Sequence, residues 1–156
     1  MSPDTLFLIC NYAVIPAWLL LLLLPNHRLT QLLVHAIWVP LLLGPFYIWA
    51  LFFGGPSPEG GGFGSLAAVM LLFQSPTAVL GGWIHYLVFD LFIGAWIVRD
   101  AARQGINHWL ITPLLFATLM AGPAGLMLYL MLRFAMKSSY TLNELETASN
   151  MPGTAN

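Results

Sequence analysis

Four long apolar segments decide what this chain can fold into. They run over about residues 4–24, 30–53, 76–102 and 107–136, and the first two stop at "PNHR" and "GGPSPEGGGFG". Each reaches the ~20 residues that a helix needs to cross the hydrocarbon core of a bilayer. Only 7% of the chain is charged, against about 25% in soluble domains. Lipid is therefore the solvent of most of this protein. The expected fold is all-α, an integral membrane bundle of four transmembrane helices forming one domain over residues 1–137.

The connections carry their own signals. The Gly/Pro stretch after Phe53 reads as a loop, because irregular backbone is not tolerated against lipid. "SLAAVMLLF" is too short to span, so residues 65–74 are expected to form an interfacial helix. Ser75-Pro76 supplies a helix N-cap followed by proline at the first helical position. From residue 138 to 156 the chain is polar, with few large apolar residues to bury, and reads as a flexible tail. Asp4 stands where a cleavable signal would carry positive charge, so the first helix is expected to stay in place. Cys10 is the only cysteine. It cannot form an internal disulfide, and no cysteine metal site exists. No cluster of Lys and Arg suits a nucleic-acid backbone, so no nucleic-acid partner is expected.

Orientation follows from Lys and Arg. Four crossings put Arg28, Arg99 and Arg103 on one side, and Arg133 and Lys137 on the other with both termini. Three against two places both termini on the periplasmic or lumenal side of a multi-pass protein, in a bacterial inner or a photosynthetic membrane. Spans one and two also resemble spans three and four. "NYAVIP" matches "HYLVFD" in part, and Gly44-Pro45 in the second span answers Gly122-Pro123 in the fourth. The pattern is that of two helical-hairpin repeats with the same orientation. Gly-Pro pairs are expected to bend both of the spans that hold them.

Polar residues inside the spans are the candidates for function. Asp90 lies near the middle of the third span, where an ionised carboxylate costs about 2.5–3.5 kcal/mol on insertion scales. Asn11, Tyr12, His85 and Tyr86 fall at one level, with Asp90 just below. On a helical wheel Trp83, Tyr86, Asp90 and Gly94 share one stripe, and His85 lies about 140° round from Asp90. The two diverge, so they make a poor metal chelate, and no metal site is expected. Catalytic candidates are Asp90 and His85. Binding candidates are Asn11, Tyr12, Trp83 and Tyr86. Each also has a purely structural reading, since polar side chains hold membrane helices together by hydrogen bonds.

"NYAVIPAWLLLLLLPNHRLT", "GGWIHYLVFDLFIGAWIVRDA" and "AGPAGLMLYLMLR" together resemble the abscisic acid-deficient four-like family of small four-span membrane proteins. The resemblance covers about residues 6–134. At Ala95 this chain departs from the basic residue expected in the family. The resemblance implies a role in carotenoid metabolism, the conversion of an epoxy-xanthophyll to a neoxanthin-type product. That reaction is an isomerisation, and it needs an acid at the epoxide oxygen, a base at carbon and no redox cofactor. Asp90 and His85 would divide those roles. Two other functions stay open: a non-enzymatic pigment- or lipid-binding accessory subunit of a larger membrane assembly, and a small-solute or proton transporter built as an oligomer. Expected partners are membrane lipids, a carotenoid, and either a larger membrane complex or further copies of the chain.

Overall fold

The computed structural model describes residues 2–137 together with Leu142. The expected tail over 138–156 otherwise lies outside the described residues. Six helices follow in order: α1 (Pro3–Leu23), α2 (Arg28–Leu33), α3 (Trp38–Phe52), α4 (Leu66–Leu72), α5 (Pro76–Arg103) and α6 (His108–Lys137). No strand occurs among the described residues. Four stretches are long and apolar enough to cross a membrane: Pro3–Leu23, Arg28–Phe52, Pro76–Arg103 and His108–Lys137. The chain forms two compact units, Met1–Phe92 and Ile93–Asn156, and the boundary falls inside α5.

In the first unit, α1 starts on Ser2, whose hydroxyl accepts from the Thr5 amide at 3.2 Å. Pro3 takes an early position where its missing N–H costs nothing, and Asp4 complements the helix dipole. The helix ends just ahead of Pro25, which disfavours helical geometry in the residue before it. α1 buries Leu6, Cys10, Val14, Ala17, Trp18 and Leu21 along one face. Its opposite face leaves Leu8, Tyr12, Ile15 and Leu19 exposed, which suits lipid. Buried Thr30 closes the corner after α1 by donating its hydroxyl to the Leu24 carbonyl at 2.5 Å.

The second apolar stretch is two helices rather than one. The chain breaks between α2 and α3, at residues 34–37. Pro40 explains the position: inside a continuous helix its ring would collide with the carbonyl four residues back, at Ala36. Placed in the first turn of α3, it does no harm. Gly44-Pro45, where the sequence predicts the bend, lies within the continuous α3.

Glycines set the close approaches in this unit. Gly81 of α5 is buried against Ala50 and Leu51 of α3. Within the connecting loop, Gly55 and Gly60 adopt φ of 119° and 77°, which only glycine takes without strain. The loop then runs into α4, seven residues capped by the Ser65 hydroxyl on the Ala68 amide. It sits where the sequence predicts an interfacial helix.

In the second unit, α5 closes with Gly105 at φ 62°. The Ile106 amide reaches the Ala101 carbonyl at 2.8 Å and the Gly105 amide the Ala102 carbonyl at 3.2 Å. This is the glycine-terminated pattern that satisfies the last carbonyls of a helix. Asn107 then caps α6 by accepting from the Trp109 amide at 2.9 Å.

α6 is broken. Ala121 has φ −156° and ψ 69°, outside helical geometry. The two arms, residues 108–120 and 122–137, meet where Gly125 packs on Thr118. A straight helix would hold those two residues ~10 Å apart. Pro123 stands at the start of the second arm, where proline is tolerated. The bend near Gly122-Pro123 agrees with the sequence. Its consequence does not: Tyr129 and Arg133 do not continue away from the α5–α6 turn but come back to the end of α5.

Candidate functional site

Two groups of polar side chains stand on α5, one in each unit. In the first unit the helix separates His85 from Asp90, as the wheel requires. His85 faces a cavity of about 350 Å³ lined also by Tyr47 and Leu51 of α3, Phe63 of the glycine loop, Leu72 of α4, Phe73 beyond it, and Ser75 and Thr77. The His85 ring stacks on Phe89, with centroids 4.4 Å apart, and has Tyr47 at 6.1 Å. Gly82 also lines the cavity, and any Cβ there would meet the Phe73 ring at 2.9 Å. The cavity walls are thus aromatic and aliphatic, with hydroxyls and one imidazole set into them.

On another face of α5 runs a chain of contacts. Asn11 donates its side-chain amide to the Phe7 carbonyl at 2.7 Å, and its side-chain oxygen accepts the Trp83 indole N–H at 3.2 Å. The Trp83 ring lies between Phe7, at 5.5 Å, and Tyr86, stacked at 5.4 Å. Tyr86 bonds to Asp90 one turn further on, and Asp90 is buried. Of the residues chosen from sequence, Asn11, Trp83, Tyr86 and Asp90 therefore form one connected set. His85 belongs to the cavity instead, and Asp90 is not among the residues that line it. Tyr12 is 68% exposed on α1 and joins neither group.

The Asn11–Trp83 bond can be tested directly. Trp83→Phe keeps an aromatic ring and removes the donor. It is expected to cost about 0.6 kcal/mol, the average for hydrogen bonds between membrane helices, read as a small drop in the midpoint of unfolding in detergent. A loss of several kcal/mol would mean that the indole does more than bond Asn11.

The second unit holds a charged cluster absent from the sequence reading. Asp100 is 3% exposed, Arg133 2% and Tyr129 0%. The Asp100 Oδ2 accepts from the Tyr129 hydroxyl at 2.5 Å and from the Arg133 Nε at 2.8 Å. Its Oδ1 has an Arg103 guanidinium nitrogen at 3.4 Å. Trp96 meets the Tyr129 ring edge-on at 5.8 Å. Tyr129 and Arg133 are one turn apart on the second arm of α6, so both address one carboxylate. Here a Tyr/Arg pair at i, i+4 and an Asp one turn from the end of an apolar helix are visible in the sequence. Their meeting depends on the fold-back of α6, which periodicity does not show. No three His, Cys, Asp or Glu side chains converge as a metal site among the described residues.

Helix lengths, apolar outer faces and polar groups turned inward define a multi-pass membrane protein with a ligand-sized cavity beside its third long helix. Residues 5–129 match the family model described as ABA DEFICIENT 4-like, and the chain belongs to that family. No significant match was found among curated proteins or among solved structures.

Proposed function

We propose that this protein acts in carotenoid metabolism, and that the cavity beside His85 receives the cyclic end of a carotenoid. Family membership supports the pathway. The observation that carries the site is the cavity itself. At about 350 Å³ it stands at the small end of the ~300–1,000 Å³ usual for small-molecule sites. That volume suits one ring of a polyene, with the remainder of the chain passing along the apolar helix faces. Phe63 and Phe73 offer rings to an apolar guest, while Ser75, Thr77 and Tyr47 offer hydroxyls to an oxygenated one.

The finer reading is acid–base isomerisation of an epoxy-xanthophyll. Protonation at the epoxide oxygen opens the C–O bond, and loss of a proton from a polyene carbon gives the allene. One proton is added and one removed, so no electrons leave the substrate. The ring nitrogens of His85 can give and take those protons, with the Tyr47 hydroxyl as its neighbour in the cavity. Asp90 acts through Tyr86, holding the α1–α5 contact chain that fixes the rotation of α5 and hence the aim of His85. This divides the roles of Asp90 and His85 by position: His85 at the substrate, Asp90 behind it.

The test is pigment analysis in cells that accumulate an epoxy-xanthophyll, with and without this gene. The expected result is conversion to an allenic product, abolished by His85→Ala with the protein still folded and inserted. If the carotenoid profile is unchanged while a carotenoid co-purifies with the protein, the pigment-binding accessory role replaces the enzymatic one. An unchanged carotenoid profile together with purified protein free of carotenoid, from cells that make it, would sink both.

A further inference from the structure

We propose that α6 is a re-entrant hairpin. It enters the membrane from the side that carries Arg99 and Arg103, turns at Ala121–Pro123, and returns to that same side, where Lys137 ends it. α6 has the length and composition to cross a membrane; its shape is that of a segment that turns back.

Three contacts establish the shape. A Cβ built on Gly125 would stand 2.2 Å from the Thr118 hydroxyl and 2.3 Å from its backbone nitrogen. Residues seven apart touch like this only where the chain reverses. Tyr129 and Arg133 both reach Asp100, which lies one turn from the end of α5. A straight α6 would carry Arg133 ~37 Å beyond His108, far past any contact with Asp100.

Charge supplies an independent argument. Arg99 and Arg103 stand at the end of α5, and a straight α6 would put Arg133 and Lys137 across the membrane from them. The hairpin brings Arg133 and Lys137 back, and four of the five Lys and Arg of the chain then lie on one side. Basic residues near span ends mark the cytoplasmic side, which puts both ends of α6 there. The sequence expectation put Lys137 on the same side as the N-terminus because it assumed a straight fourth crossing.

The experiment uses single cysteines in a Cys10→Ala background, probed with a membrane-impermeant maleimide on intact cells and on inverted vesicles. Ser57→Cys in the glycine loop is expected to label on intact cells only. Asn107→Cys and Lys137→Cys are expected to label on inverted vesicles only, and Ala124→Cys at the turn in neither. The decisive comparison is between Asn107 and Lys137: labelling from the same side supports the hairpin, and labelling from opposite sides overturns it. Ala124→Cys labelled on intact cells overturns it as well. Fusions of green fluorescent protein and alkaline phosphatase to the end of the unsubstituted full chain give a readout independent of the cysteine variants. Fluorescence without phosphatase activity is expected, and active phosphatase overturns the proposal.

Discussion

Asp100→Ala is expected to cost about 3–5 kcal/mol of stability, the penalty for leaving a buried charge without its partner. Arg133 is the residue that loses this carboxylate. Its guanidinium is 2% exposed and donates its Nε to the Asp100 carboxylate at 2.8 Å. The Tyr129 hydroxyl, fully buried, loses its acceptor in the same stroke. Proteins have only about 5–15 kcal/mol in hand, so a large part of the variant should fail to accumulate as folded protein. The companion experiment separates charge from shape. Asp100→Leu combined with Arg133→Met removes both charges and fills the space with apolar side chains. The double variant should recover most of the loss, since replacing a whole buried pair by hydrophobic residues is often neutral. Unfolding midpoints in detergent measure both effects. Wild-type stability in Asp100→Ala, or a double variant as unstable as the single one, would show that the pair does not hold the second unit together.

The membrane class and the helical order are legible in the sequence because both follow from local properties. Twenty apolar residues in a row need no tertiary information to be read as a helix in lipid, and Ser75-Pro76 marks the start of α5 by capping chemistry alone. The divergence of His85 and Asp90 is legible for the same reason, since residues on one helix have fixed angles between them. What lies between helices is less so. The contact of Trp83 with Asn11 needs α1 and α5 to meet near one level; depth puts Asn11 level with His85 and Tyr86 but does not pair it with Trp83. The cavity beside His85 does not follow from depth, because part of its wall comes from the glycine loop and α4, whose paths are set by Gly55, Gly60 and the packing of Gly61 on Leu72. Tyr47 is missed with it. The two Gly-Pro pairs show the limit most clearly. They look alike in the sequence, yet Gly44-Pro45 leaves α3 intact while α6 breaks just ahead of Gly122-Pro123. A proline weakens a helix where it stands, but whether the chain bends or reverses there depends on what the freed segment can pack against. Gly125 gives the second arm a surface flat enough to lie on Thr118.

Gly125→Ala and Gly44→Ala should therefore move stability in opposite directions, although both exchange a glycine for the same methyl group near a proline. At Gly44 nothing lies within 4 Å of the added Cβ. Alanine there is free of clash and stiffens a helix interior, so Gly44→Ala is expected to stabilise by about 0.5–1 kcal/mol. At Gly125 the added Cβ would overlap the Thr118 hydroxyl, nitrogen and Cα at 2.2–2.5 Å. A hydroxyl can rotate away, but a backbone nitrogen and Cα cannot move without moving the first arm of α6. The arms must separate, and Tyr129 and Arg133, further along the second arm, lose their aim at Asp100. Overpacking of a tight contact costs about 1–3 kcal/mol, and a backbone clash belongs at the upper end. Gly125→Val should be worse again. Matched unfolding curves of the two alanine variants in one detergent give the comparison without reference to activity. If Gly125→Ala is as stable as wild type, the arms do not touch where the fold-back requires them to, and the hairpin loses its foundation.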